Sequence, residues 1–270
     1  MLNPQSVVTG AAGGLGRALC LEVAGRGGNV VVADVDLQGA EETAHLVEAA
    51  GAKAFVERCD VSKKEDVDAL AEASAKHLGH VDLLCNNAGV AVSGPFEEIS
   101  LEDWKWIVDI NLWGVIYGCQ AFLPAMRQRK SGYVLNVASA AGLLRTANMS
   151  PYNVTKVGVV GLSETLNVEY KTHNVKVTAL CPTFFKTKIM ESGRGPEMKE
   201  TRLAKKWMER SKVQAPDVAR IALEDLTAGR IYSVPMADGK ALWRLKRAAP
   251  EAFYSVLAKS TAWMQKRSKR

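Results

Sequence analysis

Tyr152 and Lys156 stand four residues apart in the run Tyr152-Asn153-Val154-Thr155-Lys156. On a helix, that spacing puts a phenol and an ammonium on one face, about a turn apart. A cation at this range favours tyrosinate and lowers a phenol pKa that is otherwise about 10. A tyrosine acting as acid or base near neutral pH needs that help. Taken alone, the pair also suits an ordinary exposed helix face. Ser139, 13 residues upstream at the end of a β-branched run, shifts the reading, because a hydroxyl there can hold a carbonyl or alkoxide oxygen beside the phenol.

A second group lies near the N-terminus. Ser6-Val7-Val8-Thr9 reads as a strand and runs into Gly10-Ala11-Ala12-Gly13-Gly14-Leu15-Gly16, where a helical pattern begins. Glycines permit a tight turn and let backbone approach a phosphate, while the helix N-terminus offers free N–H groups and a positive dipole end. Gly10, Gly14, Leu15 and Gly16 are therefore candidate dinucleotide-binding residues. Asp34 closes the second strand-like run, 18 residues beyond Gly16. An acid there accepts hydrogen bonds from ribose hydroxyls and repels a 2′-phosphate, which favours NAD over NADP. No basic residue stands at Gly13 or Val35 to offset the repulsion, and Arg17 sits one step into the helix.

These residues need a scaffold, and the hydrophobic period supplies one. Short apolar runs (6–9, 29–33, 54–56, 81–85, 133–137 and 175–180) alternate with helical patterns, the longest at 101–129. Strands with little polar alternation, separated by amphipathic helices, predict an α/β fold with a parallel sheet covered on both faces. Right-handed crossovers make it a single Rossmann-type, doubly wound domain. After Pro182 the rhythm breaks. Residues 184–215 read as a lid insertion, followed by a helix at 216–227 and a last strand at 230–234. Residues 1–239 are thus expected to form the catalytic domain and 240–270 a basic, helical C-terminal extension.

In order and spacing, these features resemble the short-chain dehydrogenase/reductase family, over about residues 5–234. Thr9, Gly10, Gly14 and Gly16 match its glycine motif, and Asn86-Asn87-Ala88-Gly89 its N-N-A-G motif. Ser139, Tyr152 and Lys156 match catalytic positions. The resemblance implies further roles. Asp60 and Val61, placed at the end of strand three, flank the adenine, and Asn87, Ala88 and Gly89 border the ribose. Asn111 is the helix asparagine that links the lysine to solvent through a water. The Phe185 backbone and Thr187 meet the nicotinamide, although Thr183 replaces the family's usual glycine after Pro182. It also implies the reaction: hydride transfer between a secondary alcohol and NAD(P), with Tyr152 as acid/base, Lys156 also binding the nicotinamide ribose and Ser139 orienting the oxygen. A homodimer or homotetramer is implied as well, built on the helix carrying Trp104, Trp106 and Trp113 and on the Tyr152 helix.

Composition limits the alternatives. Across 270 residues the formal charge is +6, yet residues 240–270 hold nine cations and one acid, Glu251, leaving the body mildly acidic. That confinement speaks against nucleic acid as a partner. Five cysteines are scattered, odd in number and never paired as C-x-x-C, and the four histidines show no ligand spacing. Reduced buried thiols and no metal are expected, hence a cytoplasmic protein. No signal peptide or membrane-spanning run is read. In the tail, Phe253, Val256, Leu257 and Met264 share a stripe among cations, which suits docking on a neighbouring subunit or lying on an anionic membrane surface.

Leu143, Leu144, Met149, Phe184, Phe185, Ile189, Met190, Trp207 and Met208 are expected to give an apolar lining, suited to a lipophilic ketone or alcohol, with Arg145 at the loop after Ser139. The competing reading is a dinucleotide-binding regulatory or scaffolding protein with weak turnover. The intact set Asn111, Ser139, Tyr152 and Lys156 argues for the enzyme. An epimerase or dehydratase is disfavoured by the glycine spacing.

Overall fold

Valine-rich runs become strands here because both of their faces are covered. In the computed structural model, which describes residues 1–186, 189, 193–196 and 211–268 (side chains as far as Ala262), seven strands form one parallel sheet. They are β1 (Gln5–Thr9), β2 (Asn29–Asp34), β3 (Ala54–Arg58), β4 (Leu83–Asn86), β5 (Gly132–Val137), β6 (Val175–Leu180) and β7 (Tyr232–Ser233), in the order β3-β2-β1-β4-β5-β6-β7. The direction of strand succession reverses between β1 and β4, so a crevice opens beyond their carboxyl ends, where open α/β sheets bind ligands.

Val7, Val8, Val30, Val31 and Val32 are fully buried, each contributing about 1.5–3 kcal/mol of transfer free energy. One core lies under α1 (Gly14–Gly25), α2 (Leu37–Ala49) and α8 (Ala215–Thr227). The other lies under α3 (Lys64–Leu78), α5 (Gly114–Arg129) and α7 (Ser150–Tyr170).

Four local differences separate this architecture from the sequence expectation. Strand β3 ends at Arg58, so Asp60 and Val61 occupy the turn after it. The helical run expected at 101–129 is α4 (Leu101–Val108) and α5 joined by a π-helical turn at Asp109–Trp113. By length and composition this run could cross a membrane, but its inner face packs against the sheet core. Ser139 stands two residues beyond β5 and caps the short helix α6 (Ala140–Leu144), its Oγ accepting from Ala141 N at 3.1 Å. Beyond β7 the chain forms α9 (Ala237–Ala248) before α10 (Pro250–Ser268), so the helical extension expected from 240 starts at Ala237 and is two helices broken at Ala249-Pro250.

A buried polar chain ties the sheet to its helices. Asn86 Nδ2 donates to Asn136 Oδ1 at 2.9 Å, and Asn136 Nδ2 donates to Ser163 Oγ at 3.0 Å. Asn136 and Ser163 are fully buried and Asn86 nearly so. Removing the middle member leaves partners stranded, at about 3 kcal/mol. Asn136→Ala should therefore lower the melting temperature by about 6–10 °C in calorimetry; a shift under about 2 °C would show that the chain carries no load.

Candidate active site

The glycine loop divides by environment. A Cβ on Gly10 would come within 2.7 Å of Ala88 Cα, and one on Gly16 within 2.1 Å of the Gly10 carbonyl oxygen. Those two glycines let strand, loop and helix touch. A Cβ on Gly13 or Gly14 would meet nothing within 4 Å, and Gly14 has φ +53. The open side of the loop is the start of α1, where Gly13 offers no side-chain cap and the first turn has no acid. The uncapped N–H groups around Gly14, Leu15 and Gly16 are therefore free to meet an anion. Donor chemistry and space both fit a dinucleotide pyrophosphate.

Neighbouring residues hold that loop. Asn87 Nδ2 donates to the carbonyls of Thr9 and Gly10 at 2.8 and 3.0 Å, while the Thr9 hydroxyl accepts from the backbone N–H of Asn87 and Ala88. Asp34 closes β2, and its carboxylate accepts from Ala12 N at 2.8 Å and Asp36 N at 3.0 Å. Arg17 spends its guanidinium on Ala12 O, Gly39 O, Thr43 Oγ1 and Glu42. Asp60 turns on itself, Oδ1 accepting from the Ser62 amide and hydroxyl, and Val61 is buried against Gly114.

At the other side of the crevice, Lys156 is only 2% exposed and its Nζ donates to the Val137 carbonyl at 2.8 Å. Tyr152 is also buried, with the Lys156 Nζ 5.7 Å from its ring centroid. Burial lowers the Lys156 pKa to about 8 from an ordinary 10.5. Burial likewise raises the Tyr152 phenol, and the Ser139 hydroxyl bonded to it pulls the other way. The expected depression by the lysine is thus not what the protein alone shows, because loss of water outweighs the Ser139 hydrogen bond. The Ser139 contact does bring hydroxyl and phenol together as expected.

Asn111 lies in the π-helical turn, fully buried. Its Oδ1 accepts from Val90 N at 2.8 Å and its Nδ2 donates to Val90 O at 2.9 Å. A Cβ on Gly89 would stand 3.2 Å from Asn111 Oδ1 and 3.5 Å from Lys156 Nζ, so Gly89 separates the two side chains closely. Tyr152 packs with Ala91, Val92, Ile99 and Ile107, flanked by Trp104, Trp106, Met149 and Ile189.

Of the expected lining, Met149 and Ile189 join this cluster. Leu143 and Leu144 do not; they are buried in the sheet core, because α6 turns its apolar face inward. Phe185 is buried in the other core, and Arg145 is an exposed left-handed cap residue. Phe184 is 39% exposed. Thr187, Met190, Trp207 and Met208 lie outside the described residues. Sequence reasoning missed Asn153, whose Nδ2 donates to Thr146 O at 2.6 Å while its buried Oδ1 has no partner. Its place between Tyr152 and Lys156 was the available signal.

The family model described as short chain dehydrogenase matches residues 5–197. The chain belongs to the short-chain dehydrogenase family. The oxidoreductase SadH of Mycobacterium tuberculosis is 31% identical over 95% of both chains. The 3beta-hydroxysteroid dehydrogenase 1 of Eggerthella lenta is 37% identical over 68% of this chain and 71% of its own. A short-chain dehydrogenase/reductase from Burkholderia phymatum, solved in complex with NAD, superposes with a TM-score of 0.84 at 34% identity, covering 92% of this chain and 94% of that one. The protein is therefore an oxidoreductase of this family with the family's Rossmann-type fold.

The buried lysine makes stability depend on pH. Its folded pKa is depressed, so the folded state binds fewer protons than the unfolded state between about pH 8 and 10.5. The cost of burying the ammonium is full below pH 8 and fades as pH rises to 10.5. The melting temperature of the wild type should therefore gain on that of Lys156→Met across this window; a pH-independent difference would contradict the depressed pKa.

Proposed function

We propose that the protein interconverts lipophilic secondary alcohols and ketones with NAD, using Tyr152 as the acid/base. The observation that carries this reading is the buried Tyr152–Ser139–Lys156 group beside an apolar cluster, facing a glycine loop with an uncapped helix N-terminus. Bound NAD supplies the hydride acceptor and a positive charge. In the oxidation direction, Tyr152 as phenolate takes the alcohol proton, and Ser139 holds the alcohol oxygen. Burial makes the phenol a reluctant anion, so ionisation in the site calls for a nearby positive charge. Lys156 is placed to contribute one, its Nζ oriented by the Val137 carbonyl. Asn111 keeps the 90–91 backbone at the rim of the site through Val90. Reduction of a ketone runs along the same path, with Tyr152 donating.

NAD is preferred to NADP in this reading because the Asp34 carboxylate stands at the end of β2 while Arg17 is occupied with α2 and the loop. An apolar alcohol is supported by Ile99, Ile107, Met149 and Ile189 around Tyr152 and by the hydroxysteroid relative. Purified wild-type protein should reduce NAD, in preference to NADP, with a panel of sterol and cyclic secondary alcohols. Tyr152→Phe should lose at least about a thousandfold in kcat while NAD affinity stays within about threefold. Near-normal turnover in that variant would remove Tyr152 from the reaction.

The reading includes a homo-oligomer. On α7, Val154, Gly161 and Val168 form an exposed stripe of seven-residue spacing, with Val154 52% and Val168 70% exposed. Trp113, beside the π-helical turn, is also exposed and stacks on Tyr117. Apolar surface of this kind suits a self-complementary interface. Light scattering should find an oligomer for the wild type and a smaller species for Val168→Glu; equal masses would exclude this face.

A further inference from the structure

Helix α9 buries Trp243 against the sheet core but turns its leucines outward and a lysine inward. Leu242 and Leu245 are 42% and 54% exposed, whereas Gly239 and Lys246 are buried and Trp243 half-buried. A buried lysine is costly unless its ammonium is well satisfied. No carboxylate meets Lys246 among the described residues. Its Nζ instead donates to the Leu143 carbonyl at 2.5 Å and lies 5.4 Å from the Tyr254 ring centroid. Leu143 is in the last turn of α6, the helix that Ser139 caps. Carbonyls there have no partner within the helix and carry its negative dipole end, which favours a cation. Tyr254 of α10 donates its hydroxyl to the neighbouring Leu144 carbonyl at 3.4 Å.

The other end of α9 reaches the second segment bordering the site. A Cβ on Gly239 would lie 2.7 Å from Thr183 Cγ2, and the Thr183 hydroxyl donates to Asp238 Oδ1 at 3.4 Å. Thr183 is the residue that departs from the family's glycine, and its methyl group uses the space left by Gly239. The two clamped segments are also bonded to each other, Ala140 N donating to Pro182 O at 2.9 Å. Between them, α9 and Tyr254 brace both walls that descend from β5 and β6.

The wall starting at α6 ends beside the chemistry. Residues 145–149 connect α6 to α7, Asn148 O accepts from Gly94 N at 2.9 Å, and Met149 packs in the Tyr152 cluster. Arg145 and Asn148 both have positive φ, so the connection is a strained path fixed by its end points. Lys246 ties the first of these end points to α9, at a carbonyl that also accepts from Arg145 Nη1 at 3.0 Å within the segment itself.

We propose that α9 is a specificity element of the site, with Lys246 as a positioning residue: by fixing the Leu143 carbonyl it sets where the 145–149 segment and Met149 stand, and so how large an alcohol skeleton fits beside Tyr152. The inference rests on the alcohol-oxidising reading above. It is tested with Lys246→Met, which keeps length but loses the donor, and with Lys246→Arg, which keeps charge and donors. In NAD-dependent oxidation, Lys246→Met should raise KM for a 3-hydroxysteroid about tenfold, while KM for NAD and kcat with 2-propanol stay within about twofold. Lys246→Arg should recover most of the steroid KM. Amide hydrogen exchange over residues 140–149 should quicken about tenfold in Lys246→Met. That readout needs no turnover, so it decides the clamp even if the wild type oxidises no alcohol. Unchanged exchange, or steroid and NAD constants moving together, would overturn the proposal. If Lys246→Met does not fold, Asp238→Ala and Tyr254→Phe together should move the steroid KM and the exchange about threefold in the same direction, and no movement would count equally against it.

Discussion

The site depends on an ammonium held where water barely reaches. Lys156 finds its partner in the carbonyl of Val137, the last residue of β5. That carbonyl is available because β5 is ending and its ladder with β6 stops at the same residue. The charge is therefore placed by the edge of the sheet rather than by a counter-charge. A carboxylate there would stabilise the cation but cancel its field at Tyr152, whereas a neutral carbonyl orients the Nζ and leaves the positive charge effective. The depressed lysine pKa and the raised phenol pKa have one cause, the exclusion of water, which also makes every electrostatic contact in the crevice stronger.

The same edge supplies the other half of the site. Thr9, Asp34, Asn86 and Val137 end four strands, and the loops beyond them carry the glycine turn, Asn87 and Ser139. A parallel sheet aligns these ends by register, so residues distant in sequence are brought together without long-range loops. The sheet also has to be rigid there, and the Asn86–Asn136–Ser163 chain provides that by joining β4, β5 and α7 below the reacting groups. A buried amide network is specific because each member has few acceptable alternatives.

Much of this was legible in the residues. Strand and helix periods placed the sheet, and the types at Ser139, Tyr152, Lys156 and the glycine turn pointed to the family that the comparisons show. What periodicity could not read are places where local geometry departs from its own rule. The π-helical turn at Asp109–Trp113 adds a residue to a turn without changing composition, and it is the turn that carries Asn111 to Val90. Leu143 and Leu144 looked like pocket lining because they follow Ser139, but capping by Ser139 starts a helix there that rolls them into the core. The pKa of Tyr152 failed for a different reason: spacing along a helix reports distance to a charge and says nothing about the water removed.

The C-terminal extension shows the same limit most clearly. By composition it reads as a basic helical extension whose apolar stripe, Phe253, Val256, Leu257 and Met264, lies beyond Pro250. The tail's stripe is divided: Phe253 packs into the chain's own core, Leu257 is half-buried and Val256 is 68% exposed. In α9 the inward face is mixed: Trp243 packs against the sheet core, and one turn on, where the body presents the carbonyl end of α6, a lysine takes the place of a leucine. A small residue at 239 then follows, since the helix must approach Thr183 closely enough for its side chain to fit. Thr183 and Gly239 are thus paired by size across two segments that touch. That contact, with the Thr183–Asp238 hydrogen bond, ties the basic extension to the residue after Pro182.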